Sequence, residues 1–399
     1  MLKHIGIFVD SRRKSGGAYQ ELLYIIKNFE KFKSKYKISI IFAHKNLDID
    51  TKNFEFNTIF LNMNIFERYY CLLRNSNKFF RKFKNFLFFE NKFEKLIKKN
   101  DIDLVYFTGP SQYSLYLENT KYIITVPDVS HRENLEFPEM INDSEFERRE
   151  ETLIKALPKA VFTITNAEII KERISFFYKV LKERIIVLNH QPSLSVDNFN
   201  KDNDKNLHNI LDKYELSSNY LFYPAMYFPH KNHKTLIDAM DVLNKKKLSI
   251  NLVCCGNDVG YLKNIKKYTK EKNLENKIKF LNYVDDSDLP KLYLNSSILV
   301  MTSLIGPTNI PPWEAFKLGI PVIYPKLDGI EEVYDQCVMY YKPLDSHDLA
   351  NKINELITNK DLRQKLILNG KQKIYEIKQN NEFDIVIKNL SNFFKKNDL

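Results

Sequence analysis

The chain alternates short apolar runs with longer segments in which apolar residues recur every three or four positions. In the first half, residues 5–9 and 37–43 have the length and the Ile and Phe content of buried parallel strands. Residues 18–31 lie between them, and their apolar residues are spaced as on one face of a helix. The second half repeats this order, beginning with the run at 220–224. The pattern predicts an α/β fold built from successive strand–helix units.

A polar stretch, residues 193–209, separates the two sets of strands and helices and is dominated by Asn, Asp and Lys. With 399 residues, the chain is also too long for one hydrophobic core of ordinary size. We therefore expect two Rossmann-like domains, a linker between them and a terminal helix. The predicted segments are residues 1–195 for the first domain, 196–213 for the linker, 214–379 for the second domain and 380–399 for the terminal helix.

One stretch of the second half, residues 303–324, combines several helix and strand signals. Pro311 and Pro312 suit the first turn of a helix, where missing N–H groups are harmless. Glu314 falls in that turn, just past the carboxyl end of a predicted strand, where open α/β sheets bind ligands. A helix start favours a phosphate, and a carboxylate there can accept bonds from ribose hydroxyls. The alternative is an ordinary proline-started helix with a solvated Glu314.

The same stretch resembles the signature of the retaining glycosyltransferases of sequence family four. The matching positions are Pro311, Pro312, Glu314, Ala315, Gly319, Pro321 and Val322. The family has a further glutamate eight positions before Glu314, and this chain has Gly306 there. The resemblance is clearest at residues 220–374 and extends weakly over the whole chain. It implies the GT-B fold, in which two Rossmann-like domains face each other across a cleft.

The resemblance also implies donor-binding residues in the second half. The family binds the donor pyrophosphate with an arginine and, five residues later, a lysine; Lys231 matches the lysine, and Met226 stands at the arginine position. A cation there would stabilise charge on the departing diphosphate, whereas the alternative is a surface lysine in a lysine-rich chain. The donor site expected from the resemblance further includes Ala225, Gly256, Val284, Thr308, Asn309, Ile310 and Glu314.

Two of these expectations are more specific. The backbone near Val284 is expected to contact the nucleotide base, as it does in the family. Thr308 and Asn309 can both donate and accept hydrogen bonds, so we expect them to replace the missing glutamate in holding the sugar.

In the first half, Gly16 and Gly17 stand between the first predicted strand and the first predicted helix. The family carries a glycine loop here that lies against the donor diphosphate. The alternative is a plain turn, because two adjacent glycines do not form a complete phosphate-binding motif.

An acceptor-side site is expected after the predicted strand at residues 122–126. The family has a histidine–aspartate pair there; Asp128 fits the aspartate, and Pro127 occupies the histidine position. His131 lies one turn later. Asp128 and His131 are thus candidate catalytic residues together with Lys231, although a lone histidine is often structural.

The chain carries 61 Lys and Arg against 50 Asp and Glu, a net charge of +11. Much of the excess lies in residues 66–99, where ten basic residues and three acidic ones alternate with aromatic side chains. Such a segment can lie on an anionic membrane surface. The alternative is a helix whose aromatic residues face the core. Nucleic-acid binding is not favoured, because no recognised module accompanies the charge.

The four cysteines, Cys71, Cys254, Cys255 and Cys337, have no metal-binding or redox spacing and are expected to be buried in a reducing compartment. We find no signal peptide at the start of the sequence and no stretch of about 18 apolar residues. The protein is therefore expected in the cytoplasm or on the cytoplasmic face of a membrane.

Together these features predict a glycosyltransferase that moves a sugar from a nucleotide-diphosphate donor to a glycan or lipid-linked acceptor. The resemblance implies retention of configuration and no metal cofactor. Two alternatives stay open because of Gly306 and Met226. One is a catalytically silent GT-B subunit that binds a partner transferase, and the other is a GT-B sugar-nucleotide epimerase or phosphorylase.

Overall fold

A computed structural model describes residues 2–10, 16–45, 56–76, 91–200 and 209–397. The chain divides into two compact units. The first comprises Met1–Glu133, Met140–Asn189 and Glu382–Leu399, and the second comprises Asn134–Glu139 and His190–Asn381. The boundary after the main part of the first unit thus falls between residues 189 and 190, before the predicted boundary at 195. Residues 194–197 form a helix of the second unit.

The first unit contains a seven-stranded sheet in which every pairing is parallel. Its strands are β1 (Lys3–Val9), β2 (Tyr36–Phe42), β3 (Asn57–Phe60), β4 (Leu104–Phe107), β5 (Lys121–Thr125), β6 (Thr163–Thr165) and β7 (Ile185–Val187). Their order is β3-β2-β1-β4-β5-β6-β7. The helices of this unit are Gly17–Glu30, Ile65–Ser76, Lys92–Lys99, Ser130–Glu133, Glu145–Ala156, Glu168–Tyr178 and Phe383–Asn397.

The central strands are apolar along their length because both faces of a parallel sheet are covered by helices. All four residues of β4 are buried, for example. The edge strand β3 was not predicted. Only Ile59 of its four residues is buried, so the strand has no apolar run that would indicate it.

The terminal helix Phe383–Asn397 packs within the first unit. The ring of Phe383 lies 5.1 Å from that of Phe29, centroid to centroid, and 6.4 Å from that of Tyr24. Near the other end of the helix, Ser391 Oγ is 2.9 Å from the hydroxyl of Tyr36. These three contacts join the terminal helix to the helix Gly17–Glu30 and to β2.

The second unit contains a six-stranded parallel sheet in the order β10-β9-β8-β11-β12-β13. Its strands are β8 (Tyr220–Pro224), β9 (Leu252–Cys255), β10 (Ile278–Leu281), β11 (Ser296–Val300), β12 (Val322–Pro325) and β13 (Val338–Tyr341). The helices are Leu194–Asp197, Asn209–Tyr214, His233–Lys245, Leu262–Glu271, Leu289–Leu294, Pro311–Leu318, Ile330–Tyr334, Ser346–Thr358 and Lys360–Gln379. The predicted α/β class with two Rossmann-like units is confirmed.

All four cysteines are buried and none forms a disulfide. Among the helices in the described ranges, none combines the length and the apolar character that crossing a bilayer requires. The basic segment predicted at residues 66–99 is described only in part, because residues 77–90 lie outside the described ranges.

Candidate functional site

The carboxyl edge of the second sheet brings together Lys231 and Asn309. Lys231 follows β8 on a single helical turn, and its ammonium donates to Asn309 Oδ1 at 2.9 Å. It also lies 3.5 Å from Ser303 Oγ, in the loop that follows β11. Two residues that are far apart in the sequence, each predicted to contact the donor, therefore form a direct contact.

The backbone of Lys231 is held as firmly as its side chain. Its carbonyl accepts hydrogen bonds from the hydroxyls of Tyr223, at 2.8 Å, and Thr302, at 3.0 Å. Asn232 follows in the left-handed conformation and caps the next helix, since its side chain accepts from the N–H of Thr235. These contacts fix where the lysine leaves the sheet edge, so its charge is directed toward the loop at 303–309.

Asn309 is buried, and each of its polar atoms has a partner. Its Nδ2 donates to the carbonyl of Ile305 at 3.0 Å and to the hydroxyl oxygen of Tyr324 at 2.6 Å. The Tyr334 hydroxyl donates to the Asn309 carbonyl at 2.9 Å. With both amide N–H groups engaged, Oδ1 is the atom that faces Lys231. Asn309 thus holds the lysine and has no side-chain donor left for a sugar, whereas Thr308 Oγ1 makes no hydrogen bond within the described residues.

The start of the helix Pro311–Leu318 has fewer N–H groups for a ligand than its position suggests. Its first two residues are prolines, which have no N–H. The N–H of Asn309 donates to the Pro307 carbonyl at 3.1 Å, and those of Trp313 and Glu314 donate to Ile310. The Lys231 ammonium is therefore the main source of positive charge at this loop. The helix start contributes less than was predicted.

Gly306 lies where the family has its first glutamate. A Cβ at this position would come within 3.1 Å of the Tyr324 hydroxyl, 3.4 Å of Leu327 Cδ1 and 3.7 Å of Asn309 Nδ2. The space that a longer side chain would enter is therefore occupied by Tyr324 and its hydrogen-bond partner. Glycine at position 306 leaves room for the Tyr324 side chain. A glutamate at position 306 would require Tyr324 and Asn309 to move.

Glu314 is 4% exposed, so the alternative of a solvated side chain is wrong. Tyr293 donates to one carboxylate oxygen at 2.6 Å and Ser193 donates to the other at 2.5 Å. Burial raises the pKa of Glu314, and the hydroxyls of Ser193 and Tyr293 offset part of that rise. Both carboxylate oxygens thus accept bonds from the protein, and the predicted contact of Glu314 with ribose hydroxyls stays a prediction.

Gly256 marks a close approach of two strand ends. A Cβ there would lie 2.4 Å from the Ala225 carbonyl oxygen and 2.7 Å from the Met226 nitrogen, so only glycine fits. The N–H of Ala225 donates to the Cys255 carbonyl at 2.8 Å. Val284, which follows β10, is buried. These predicted donor residues lie at the carboxyl ends of β8, β9 and β10.

In the first unit, Gly16 begins the helix Gly17–Glu30 with φ 85°, a left-handed conformation that favours glycine. Its carbonyl accepts from the N–H groups of Tyr19 and Gln20. The polar loop before it, residues 11–15, lies outside the described ranges, so the predicted contact of Gly16 and Gly17 with a diphosphate stays a prediction.

Asp128 is an ion-paired carboxylate. It lies 3.2 Å from Arg149 Nη1 and accepts from the N–H of Ser130 at 3.0 Å, with a further bond from the Ser130 hydroxyl. Burial by itself would raise the pKa of Asp128, but the Arg149 guanidinium and the Ser130 bonds outweigh it and hold the pKa well below its usual range. The group is therefore charged at neutral pH.

His131 is 0% exposed, which matches the structural alternative better than a catalytic role. Its Nε2 lies 3.2 Å from a Glu150 carboxylate oxygen and 3.1 Å from the Tyr178 hydroxyl, while Nδ1 has no partner among the described residues. Burial and the nearby Arg149 charge lower its pKa, so the ring is neutral. The catalytic role expected of His131 therefore stays a prediction.

The residues that surround the predicted ones were missed because no local signal marks them. Tyr324 stands in the strand β12 and Tyr334 ends the helix Ile330–Tyr334, and in both places a tyrosine suggests only a packed core position. Ser193 lies in the polar stretch at residues 193–209, where a serine carries no specific signal. Within the described ranges, no three His, Cys, Asp or Glu side chains converge as metal ligands would.

Comparison with known proteins identifies the second half of the chain. Residues 203–373 match the family model of the glycosyl transferases group 1. The chain is 26% identical over 198 residues to the O-antigen chain mannosyltransferase RfbU of Salmonella typhimurium, covering 50% of this chain and 51% of that protein. It is 30% identical over 161 residues to an alpha-1,3/1,6-mannosyltransferase of Dictyostelium discoideum, covering 36% and 38%. The matches thus span about half or less of these relatives.

Solved structures resemble the whole chain. A glycosyltransferase from Rickettsia africae has a TM-score of 0.69 at 18% identity, covering 98% of this chain and 99% of that one. Anabaena HepE in complex with UDP and glucose has a TM-score of 0.69 at 16% identity, covering 100% of both chains. At these identities the likeness establishes the fold, which is GT-B. Residues 203–373 thus match the glycosyl transferases group 1, and the whole chain has the GT-B fold.

Proposed function

We propose that this protein transfers a hexose from a nucleotide-diphosphate donor to a glycan or lipid-linked acceptor, with retention of configuration and without a metal cofactor. The observation that carries the proposal is the contact between the Lys231 ammonium and Asn309 at the carboxyl edge of the second sheet. The contact lies inside the region that matches the family. Ligands bind at this edge in open α/β sheets.

The chemistry follows from where the charge develops. As the bond between the sugar and the diphosphate breaks, negative charge accumulates on the leaving phosphate oxygens. A fixed ammonium stabilises that charge most when the bond is breaking, because it needs no reorganisation at that moment. Lys231 is held at its backbone by Tyr223 and Thr302 and at its side chain by Asn309, so it meets this requirement.

The remaining donor contacts are assigned by position. Glu314 would accept hydrogen bonds from the ribose hydroxyls in addition to those from Ser193 and Tyr293. Thr308 is the side chain of the loop that can contact the sugar, since Asn309 is fully engaged. The backbone near Val284, together with Gly256 and Ala225, which lie close to each other, would contact the nucleotide.

We assign the acceptor to the first unit, where the charged Asp128 lies at the carboxyl end of β5. A relative is named as an O-antigen chain mannosyltransferase, which supports a surface-polysaccharide acceptor. A cytoplasmic protein attached to the membrane surface fits that role. Ile65, Phe66 and Tyr69 support the attachment, because they are 76%, 80% and 63% exposed on one helix beside the basic segment.

The test combines donor binding with turnover. The wild-type chain is titrated with UDP and GDP by calorimetry, and transfer or hydrolysis is followed with radiolabelled UDP-glucose and GDP-mannose. Lys231→Ala is expected to lower turnover roughly 100-fold with nearly unchanged melting temperature. Lys267→Ala, at a lysine whose side chain is 79% exposed, is the matched control and should behave as wild type.

Three outcomes would contradict the proposal. Turnover of Lys231→Ala equal to that of the control would remove the lysine from the mechanism. Nucleotide binding by wild type without transfer or hydrolysis of any donor would favour a silent subunit. Loss of turnover on adding EDTA would contradict metal independence.

A further inference from the structure

The segment Asn134–Glu139 belongs to the second unit, although the chain before and after it belongs to the first. Its last residue, Glu139, contacts His230, the neighbour of Lys231. One carboxylate oxygen of Glu139 accepts both from the backbone N–H of His230, at 3.0 Å, and from its ring Nδ1, at 2.5 Å. A single carboxylate thus fixes the backbone and the side chain of one residue.

This pair is largely withdrawn from solvent, since the side chains of Glu139 and His230 are each 12% exposed. The His230 ring also stacks on Phe228, 5.4 Å away, and meets the ring of Phe137 edge-on at 6.2 Å. Burial by itself would raise the pKa of Glu139, but the bonds from His230 outweigh it and lower the pKa. A charged acceptor makes both bonds stronger than neutral ones.

The other oxygen of Glu139, Oε2, is buried and has no hydrogen-bond partner among the described residues. Burying a carboxylate oxygen without a partner is unfavourable, so this arrangement does not maximise stability. A residue kept in such a place is better explained by what it holds than by the stability it adds.

His230 extends the contact to the loop after β11. Its carbonyl accepts from the N–H of Leu304 at 2.8 Å. The same loop carries Ser303 and Asn309, which contact the Lys231 ammonium. Through His230, Glu139 is therefore connected to Lys231, which is the next residue, and to the loop at 303–309, which contacts the Lys231 ammonium.

We infer that Glu139 is a positioning residue for the proposed transfer reaction: it fixes His230 and thereby sets Lys231 and the loop at 303–309 against the donor diphosphate. The inference rests on the proposed role of Lys231. Because the lysine acts most strongly as the leaving group departs, its displacement lowers kcat more than it raises KM for the donor. Displacements of about 1 Å can lower a rate by up to about 100-fold.

The first experiment measures kinetics in the full chain with the donor that wild type accepts. Glu139→Ala is expected to lower kcat by about 10-fold or more with a smaller change in donor KM, and Glu139→Gln, which keeps an acceptor oxygen, should recover most of it. Glu136→Ala, at an exposed glutamate of the same segment, is the matched control. In a double-mutant cycle, Glu139→Ala should add little to Lys231→Ala, because residues that act together are not additive.

The second experiment needs no activity. Hydrogen exchange followed by mass spectrometry should show faster exchange of the His230 amide and of residues 303–309 in Glu139→Ala, but not in Glu136→Ala. Unchanged exchange there, or kinetic losses that multiply fully with those of Lys231→Ala, would overturn the inference. A wild type that binds neither UDP nor GDP would instead reject the proposed function, and the exchange result would still decide whether Glu139 holds the loop.

Discussion

Tyr324 determines which atom of Asn309 faces Lys231. Its hydroxyl oxygen accepts from Asn309 Nδ2 at 2.6 Å, and the carbonyl of Ile305 accepts from the same nitrogen at 3.0 Å. The carbonyl oxygen of the asparagine is thereby left to accept from the Lys231 ammonium at 2.9 Å. A tyrosine of the core strand β12 thus orients the group that holds a charge at the edge of the sheet.

Replacing Tyr324 with phenylalanine should therefore affect the site as well as the core. We expect Tyr324→Phe to lower stability by about 1–2 kcal/mol, since Asn309 Nδ2 loses a buried acceptor. It should also lower turnover, because the amide can then rotate away from Lys231. Denaturant unfolding and donor turnover measure the two effects. Tyr340→Phe, whose hydroxyl donates to the backbone at Asp335, is the control and should change stability without changing turnover.

Removing the carboxylate of Glu314 should weaken nucleotide binding. Glu314→Ala is expected to weaken the binding free energy of the nucleotide that wild type binds by at least about 1.5 kcal/mol. That is the scale of a hydrogen bond to a charged group. It should also lower stability, because the hydroxyls of Ser193 and Tyr293 lose their acceptor. Calorimetry with Glu314→Gln gives the comparison, since it keeps one acceptor oxygen. Unchanged affinity in both variants would leave Glu314 with a structural role alone.

The stability effect of Glu314 should depend on pH. Burial raises its pKa, so the folded chain retains this proton at pH values where the unfolded chain has released it. The contribution of Glu314 to the free energy of unfolding therefore falls as the pH rises from the ordinary glutamate pKa through the raised one. As the pH rises, the melting temperatures of wild type and Glu314→Gln should approach each other, or that of the variant should become the higher of the two. A difference independent of pH would contradict the assignment.

Asp128 should show the opposite dependence. Its pKa is held below the usual value, so its contribution to stability is present above the unfolded pKa of about 3.9 and is lost as the pH falls. Asp128→Asn is expected to cost about 2 kcal/mol at neutral pH, because Arg149 and Ser130 lose a charged acceptor. Unfolding at pH 7 and below pH 4 should show the gap between variant and wild type closing in acid.

Introducing a glutamate at position 306, where the family has one, should not raise turnover. The Cβ of a residue at position 306 would come within 3.1 Å of the Tyr324 hydroxyl, so Gly306→Glu overpacks the site. We expect a loss of about 1–3 kcal/mol in stability and lower turnover. The control is Gly109→Glu, at a glycine whose added Cβ would have no neighbour within 4 Å. Higher turnover of Gly306→Glu would refute the view that Tyr324 and Asn309 occupy the space of the missing side chain.

The exposed residues of the helix Ile65–Ser76 should matter for membrane binding. Wild type is expected to sediment with anionic vesicles more than with neutral ones, and added salt should weaken the binding because exposed charges are screened. Phe66→Ser should reduce sedimentation, whereas Phe176→Ser, at a phenylalanine that is 67% exposed on another helix, should not. Equal, weak sedimentation with both vesicle types would mean that the surface has no membrane role.

The alternation of strands and helices can be read from the sequence, apart from the edge strand β3. The strand at Tyr220–Pro224 has the predicted bounds, and the helix Pro311–Leu318 begins at the two prolines that suit its first turn. These features depend on residues a few positions apart, through apolar spacing and end signals, so they can be read along the chain. The same reasoning predicted the position of Lys231 after a strand end.

The contacts of the candidate residues, in contrast, depend on the tertiary structure. Glu314 is held by Ser193, 121 residues away, and Asn309 by Tyr324 and Lys231, at separations of 15 and 78. His131 turned out to be buried, and Glu139 became a partner of His230, 91 residues later. Such contacts depend on which loops the strand order brings to one edge of a sheet. Spacing along the chain carries no information about that order, because each strand can satisfy its own local pattern in any position.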